Sequence, residues 1–535
     1  MPPLATESVH RKDRSSQLSV LILDRSVCFC EPGMPFPFLF YPSPSLCKVL
    51  GLHWQPSSRA ERYRHKQPAR ATQRRTNASP LMQMLCKIFA CQYSPECPEN
   101  PVSLGVAENS LMHEDLLAWS RKRFELTASD LTYGTALKGS ARLFSALIPF
   151  FEQRFKNVKP ILPQHIVTGA GVSAVIDQLM ILLCDPSDGC LIAAPFYAGF
   201  DRDLRVRNDV IPIGVQIPGH IDPASPDSLN YLQARYDESK TGKGPKIKAV
   251  ILCNPHNPLG FCYPRETIVE YARFAERNNL HLIVDEIYAL STFKTTNATA
   301  TPFCSILSID VEHEAGCDPS RVHMLYGSSK DFCSNGLRIG VMISQSNPAL
   351  CEAFTSSAMF MKISSPADAL FSKLISTPAD LDWFISTNQL RLAQAYEFST
   401  KWLKKHGVPY RQANAGHFLW IDLRKFMPTC DNEGKDLSCE ADRESQLFIN
   451  LLEHGVYIAP GSFYHASQPG FFRITFSVVQ EVMQVGLDRL AAVIEPDMTS
   501  SVDTIASAKG NKRLSALELT RVDMEALALE CGGMC

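Results

Sequence analysis

The chain has 535 residues, 45% of them hydrophobic and 20% charged. That apolar share excludes a disordered or collagen-like polymer, and a formal net charge of −2 argues against a protein built to coat nucleic acid or an anionic membrane. The 18 cysteines are scattered, with few metal-like pairs, in a chain too long to need disulfide staples, so they read as reduced thiols of a cytoplasmic enzyme with no structural metal.

The near-neutral total hides an uneven start. Residues 1–80 carry twelve Lys and Arg against five acids, and ten of the 36 prolines. Their apolar runs are short and broken by proline, as in PFPFLFYPSPS at 35–45, which supports neither a long helix nor a central strand. Leu18–Leu23 is too short for a secretory core and lacks a cleavage pattern after it. The basic run at 59–75 has the composition of a targeting or nucleic-acid patch. The plainer expectation is a basic, proline-rich extension over 1–84 without fixed structure and outside the chemistry. No run of about 18 uninterrupted apolar residues occurs, so no membrane span is expected.

From about residue 100 short apolar runs alternate with helical patterns. HIVTGA (165–170) reads as a strand and GVSAVIDQLMILLC (171–184) as the helix after it. GCLIAAP (189–195) and IKAVILCNP (247–255) read as strands. Residues 266–279 form a helix with Ile268, Val269, Ala272, Phe274 and Ala275 on its apolar face, ended by Asn278 and Asn279. LHLIVDE (280–286), RVHMLYGSS (321–329) and LRIGVMIS (337–344) complete the strands. The succession predicts an α/β fold: a mostly parallel sheet covered by helices on both faces. Beyond it, 496–512 reads as a polar linker and 513–530 as a short amphipathic helix.

Ligands of such sheets collect at the carboxyl ends of the strands. Gly171-Val172-Ser173 opens a helix there, a turn able to offer N–H groups to a phosphate, or merely a tight turn. Asn254-Pro255-His256-Asn257-Pro258-Leu259-Gly260 forces an irregular backbone at the edge of a buried strand. Asp285 follows a buried strand directly and needs a partner there, unless it only caps a helix. Lys330 ends an apolar strand, where burial would ease loss of its proton, unless it sits in an exposed loop.

Each signal alone is ambiguous, but their order and spacing are not. NPHNPLG, then DEIY 28 residues after Asn257, then SSK with Arg338 eight residues after Lys330 resembles the pyridoxal-phosphate enzymes of aminotransferase class I/II, fold type I. GVAENSL at 105–111, PFYAGFDRDL at 195–204, and YGSSKDF with GLRIG resemble the 1-aminocyclopropane-1-carboxylate (ACC) synthase-like branch. The likeness spans about 95–495. It implies a large domain over 131–365 with a mostly parallel seven-stranded sheet sandwiched by helices. A smaller α+β domain would form from 85–130 and 366–495, with 496–535 as a tail. It further implies a homodimer with shared active sites.

The resemblance also assigns roles. Lys330 would bind pyridoxal 5'-phosphate as a Schiff base and, once displaced, move the α-proton of an amino acid. Asp285 would pair with the pyridine nitrogen. Tyr288 and Asn257 would hydrogen-bond the phenolic oxygen, and Tyr197, not its neighbour Phe196, would stack on the ring. Val172, Ser173, Ser328 and Arg338 would hold the phosphate. Tyr133 would reach the neighbouring subunit's site. Arg473, in GFFRITFS, would grip the substrate carboxylate as only a forked guanidinium does, and Glu108 would meet the substrate or merely keep the AEN turn.

The expected reaction is transamination between an amino acid and a 2-oxo acid, in a setting that suits specialised metabolism. The alternatives are ACC synthase-type γ-elimination on S-adenosylmethionine, carbon–sulfur cleavage, or a catalytically silent binding protein that should have lost Lys330 or Asp285. Two departures from the family stand out. Gly327 occupies the place, three residues before the lysine, where a serine often contacts phosphate, and the segment before GVAEN does not look like a helical arm.

Overall fold

The computed structural model describes residues 91–134, 136–296 and 300–495, together with three strands nearer the N-terminus. The expected linker at 496–512, the helix at 513–530 and the basic run at 59–75 lie outside the described residues. The chain divides into two units, Met1–Asn77 and Ala78–Cys535. In the first, β1 (Ser19–Leu23), β2 (Ser26–Cys30) and β3 (Phe38–Phe40) form an antiparallel sheet in that order. The proline-broken leader gives no expectation of a sheet. Its strands are only three to five residues long, short enough to fit between the prolines, and β3, close to Pro37 and Pro42, is an edge strand, where proline is tolerated.

The second unit holds β4 (Val102–Ser103) and then a seven-stranded sheet of β5 (Ile166–Ala170), β6 (Gly189–Ala194), β7 (Ile211–Gln216), β8 (Ile247–Cys253), β9 (His281–Asp285), β10 (Val322–Gly327) and β11 (Ile339–Ile343). The order across the sheet is β5-β11-β10-β9-β8-β6-β7. Only β11 runs antiparallel to its neighbours, so the expectation of a mostly parallel sheet holds. The continuously buried runs IVTG, GCLIAA and IGVMI are what a sheet covered on both faces requires.

The covering helices follow from apolar spacing. Val172–Leu183 turns Val175, Ile176, Leu179 and Met180 inward, each contributing on the order of 1.5–3 kcal/mol by leaving water. Arg265–Arg277 buries Ile268, Val269, Ala272, Phe274 and Ala275, the face read from the sequence. It stops at Asn278, followed by Asn279 in the left-handed region at φ 54°. β7 escaped the sequence reading because Pro212 and Gly214 interrupt it. It is an edge strand, so the missing proline N–H costs no ladder bond.

A second, smaller layer contains β12 (Phe418–Asp422), β13 (Val456–Tyr457), β14 (Ala459–Pro460) and β15 (Phe471–Thr475). β15 lies between β12 and β14, antiparallel to both, while β13 pairs in parallel with β4. Leu104 extends the link, its N–H donating to Tyr457 O at 2.8 Å and its carbonyl accepting from Thr475 N at 2.7 Å. Segments from the two ends of the unit are thus woven together. Among the described residues, no helix is long and apolar enough to cross a membrane, and the described cysteines form no disulfide.

Candidate active site

Every parallel strand points its carboxyl end the same way, and a cavity of about 470 Å³ opens there. Its lining includes Glu108, Val172, Ser173, Tyr197, Asn257, Asp285, Tyr288, Lys330 and Arg338. One cavity therefore gathers nine of the residues singled out from sequence, although they come from segments more than two hundred residues apart.

The β5–helix turn forms one wall. Gly171 adopts φ 91° at the N-cap, and a Cβ on it would collide with the Arg338 guanidinium. The first N–H groups of the helix that follows have no partner inside it and form a positive end. Arg338, exposed and at φ 53°, arches over the turn, donating from Nη1 to Asn335 O at 3.0 Å. The turn seats closely because three adjacent strands carry glycine in register: Gly169 and Gly327 both face Gly340. A Cβ on Gly340 would fall on the Gly171 backbone. The result is an anion-sized cradle with a guanidinium beside it.

Opposite lie the acid and the lysine. Asp285, at the end of β9, is 5% exposed. Burial pushes its carboxyl up to about 7, against the pull of the Ile287 N–H and Lys330. A buried acid so poised takes its charge fully only beside a cation. Lys330 lies three residues past β10, and its Nζ donates to Ala107 O at 2.6 Å. Tyr288 is 2% exposed, and its hydroxyl has no hydrogen-bond partner among the described residues. The phenol is pushed well up by burial. An orphaned buried hydroxyl is costly, which marks a place where a ligand atom belongs.

Arg473 on β15 is wholly buried, its guanidinium between the rings of Phe418 (4.9 Å) and Tyr464 (4.8 Å). It donates to Asn257 Oδ1 at 3.0 Å and to Gly105 O at 2.6 Å. It stands behind Asn257 rather than lining the cavity itself. Glu108 is exposed on the cavity wall and accepts from Asn335 Nδ2 at 3.4 Å. The loop that carries it is pinned by Ser477 Oγ, which donates to Glu108 O at 2.7 Å.

Two more of the residues singled out from sequence lie outside this chain's cavity lining, Tyr133 as expected of a residue that serves a neighbouring subunit. Ser328 is fully buried outside the cavity lining, its hydroxyl without a hydrogen-bond partner among the described residues, while the adjacent Ser329 lines the cavity. The strand ends at Gly327, so the next two side chains diverge, and position alone did not say which would face in. Tyr133 is 80% exposed and outside the cavity of its own chain. Tyr197 lines the cavity, whereas Phe196 is buried against His465. The cavity also takes Asp203, Ser329, Asn335 and Gln92. Asp203 lies inside the noted PFYAGFDRDL motif, and burial holds its carboxyl above the usual range despite Arg202 and the Ser173 hydroxyl. Nothing in the sequence pointed to Gln92.

The aminotransferase class I and II family pattern matches residues 99–490. "Probable aminotransferase aclI" of Aspergillus oryzae is 32% identical over 398 residues, 74% of this chain and 90% of that protein. 1-Aminocyclopropane-1-carboxylate synthase 1 of Cucurbita pepo is 30% identical over 432 residues, 77% of this chain and 83% of that protein. Among solved structures, an aspartate aminotransferase double mutant of Thermus thermophilus superposes with a TM-score of 0.61 at 18% identity. It covers 80% of this chain and 100% of its own, a likeness of fold alone.

Proposed function

Since the chain belongs to the aminotransferase class I and II family, we propose that it is a pyridoxal-phosphate enzyme that transfers the amino group of an amino acid to a 2-oxo acid. The carrying observation is that Lys330, Asp285 and the Val172–Ser173 helix start with Arg338 line one cavity. The residues fit the cofactor. The cradle suits a phosphate, the orphaned Tyr288 hydroxyl suits a phenolic oxygen, and Asp285 suits a ring nitrogen that gains a proton. Bound there, pyridoxal phosphate supplies a sink for the electrons left when an amino acid loses its α-proton.

The chain's own groups do the rest. Lys330 anchors the cofactor and its amine carries the α-proton. Asp285 holds a proton on the ring nitrogen by its charge, and Tyr197 covers one ring face. Val172, Ser173 and Arg338 receive the phosphate, with Ser329 and the buried Ser328 hydroxyl beside the lysine. Arg473, bonded to the cavity residue Asn257, fixes the substrate carboxylate through its forked guanidinium. Tyr133, exposed on its own chain, serves the neighbouring site of a homodimer. The thiols fit a cytoplasmic setting.

Glu108 supports a second reading. An exposed carboxylate on the cavity wall suits a cationic sulfonium substrate, as in ACC formation, or proton delivery to a departing thiolate. The test is a substrate panel: amino acids with 2-oxoglutarate, S-adenosylmethionine alone, and a cysteine S-conjugate alone. New glutamate supports transamination. ACC, or pyruvate with released thiol, in place of glutamate sinks it. Lys330→Ala should leave protein that reductive trapping no longer labels with cofactor. Labelling that persists would remove Lys330 from its role.

A further inference from the structure

The segment between β14 and β15 touches both halves of the site. Gly461–Tyr464 is a tight helical turn that ends on His465, held in the left-handed region at φ 58°. Histidine is one of the few residues with a Cβ found there more than rarely. Three independent contacts hold it. Its ring stacks on Phe196 at 4.4 Å and 17°. Its Nε2–H donates to Asp201 Oδ2 at 2.6 Å, with the Asp201 side chain 6% exposed and the His465 side chain 39% exposed. Its carbonyl accepts from Gln216 Nε2, at the end of β7, at 2.8 Å. A fourth contact lies next door, Phe196 N donating to Tyr464 O at 2.9 Å.

Phe196 directly precedes Tyr197, the aromatic wall of the cavity. Tyr197 in turn sets its ring against Phe200 at 5.3 Å, on the short helix that carries Asp201. On the other side, Tyr464 directly precedes His465, and its ring lies 4.8 Å from the Arg473 guanidinium. One continuous set of contacts therefore runs from Arg473 through Tyr464 and His465 to Phe196 and Tyr197. A group seated in the cavity would meet the Tyr197 end directly and the Arg473 end through Asn257.

We propose that His465 is a positioning residue that, with Asp201, sets the aromatic wall at Tyr197 and the carboxylate clamp at Arg473 in register. Neither residue lines the cavity, so the effect is exerted through Phe196 on one side and Tyr464 on the other. The inference rests on the cofactor and carboxylate roles given above to Tyr197 and Arg473. It adds that the two subsites are not independent. Loosening the His465 latch weakens ring stacking and carboxylate recognition together, although neither contact group is changed.

The test uses the full-length protein carrying His465→Asn or Asp201→Asn. Asparagine tolerates the left-handed backbone, so the first change removes the ring without straining the turn, and the second keeps the ring but removes the charge. Two quantities are measured. One is the dissociation constant of pyridoxal phosphate, from its visible absorbance. The other is the ratio of rates at which the loaded protein reacts with aminooxyacetate, which carries a carboxylate, and with O-methylhydroxylamine, which does not. The wild type should take up the cofactor and prefer aminooxyacetate. Each variant should bind cofactor about tenfold more weakly, as expected for losing one hydrogen bond to a charged group, and lose most of the preference. A variant with a lower melting temperature but an unchanged ratio would reduce His465 to a structural role and overturn the proposal, as would unchanged values throughout. A wild type that takes up no cofactor, or shows no preference, would instead bring down the functional reading beneath it.

Discussion

Gly327→Ser restores the hydroxyl that the family often carries three residues before the lysine, yet the structure predicts harm from it. A Cβ at Gly327 would sit 2.5 Å from Ile339 O and 3.1 Å from both Ile287 Cδ1 and Val172 Cγ2. The first of these is backbone. Ile339 O already accepts from Ser328 N at 3.2 Å, so it moves only by giving up that bond. Overpacking of this kind costs about 1–3 kcal/mol, and a lost hydrogen bond about 1 kcal/mol more. The expected loss is therefore on the order of 2–4 kcal/mol, read as a fall in the urea midpoint of the cofactor-free protein. Gly327→Ala should lose as much, because the clash belongs to Cβ and not to the hydroxyl. Gly336→Ala, where a Cβ meets nothing within 4 Å, should lose little. If Gly327→Ser matches the wild-type midpoint, or binds pyridoxal phosphate more tightly, the close-approach argument is wrong.

Asp285→Asn removes the only charge proposed for the ring nitrogen, and cofactor affinity should fall about 10- to 100-fold by absorbance titration; retained affinity would mean that the acid faces elsewhere. Arg473→Lys keeps the charge but not the fork, so kcat/KM should drop by about two orders of magnitude, with cofactor binding nearly intact. A drop confined to cofactor binding would move Arg473 to the wrong subsite. Glu286 is wholly buried, and burial raises it from 4.5 to about 8, outweighing its bonds from Ser305 Oγ and Ile306 N. Its folded value lies above its unfolded one, so the folded state holds an extra proton between those values. Stability of the cofactor-free protein should then fall as pH rises through that window, by at most about 1.4 kcal/mol per pH unit from this group. Glu286→Gln should flatten the slope in denaturant titrations at successive pH values, leaving the part due to Asp285 and Asp331, each raised to about 7. An unaltered slope would show that Glu286 is charged in the folded protein.

The sheet and the strand-end residues were legible because burial on both faces writes itself as unbroken apolar runs, and because a polar group just past such a run needs a reason to be there. Asp285 and Lys330 were found this way. β7 was not, since an edge strand accommodates Pro212 and Gly214 where a central strand would not. The 28-residue helix Pro378–Lys405 buries Asn388, Ser399 and Thr400 along with its apolar stripe, which blurs the period. Asn388 is buried for cause: its Oδ1 accepts from Asn109 Nδ2 at 2.8 Å, next to Glu108. The choice between Ser328 and Ser329, and the entry of Gln92, depend on where the backbone turns after a strand or lies across a cleft. His465 carries no local signal, because its meaning lies in Phe196 and Asp201, over two hundred residues earlier.

The pairing of β4 with β13 has a consequence for how the protein is made. Val102 leaves the ribosome about 350 residues ahead of its partner Val456. At the usual pace of synthesis that is a wait of about 20–70 s. Through that interval Val102 and Leu104, fully buried in the finished protein, lack the backbone partners they take from Val456, Tyr457 and Thr475, and Gly105 O lacks the guanidinium it will receive. The large sheet can close earlier, with its lysine and acid in place, so a nascent or truncated chain ending before Arg473 would present the cleft proposed for the cofactor without the arginine proposed to grip the substrate. On the proposed reading the site is completed last, when the segments around Val102 and Arg473 meet.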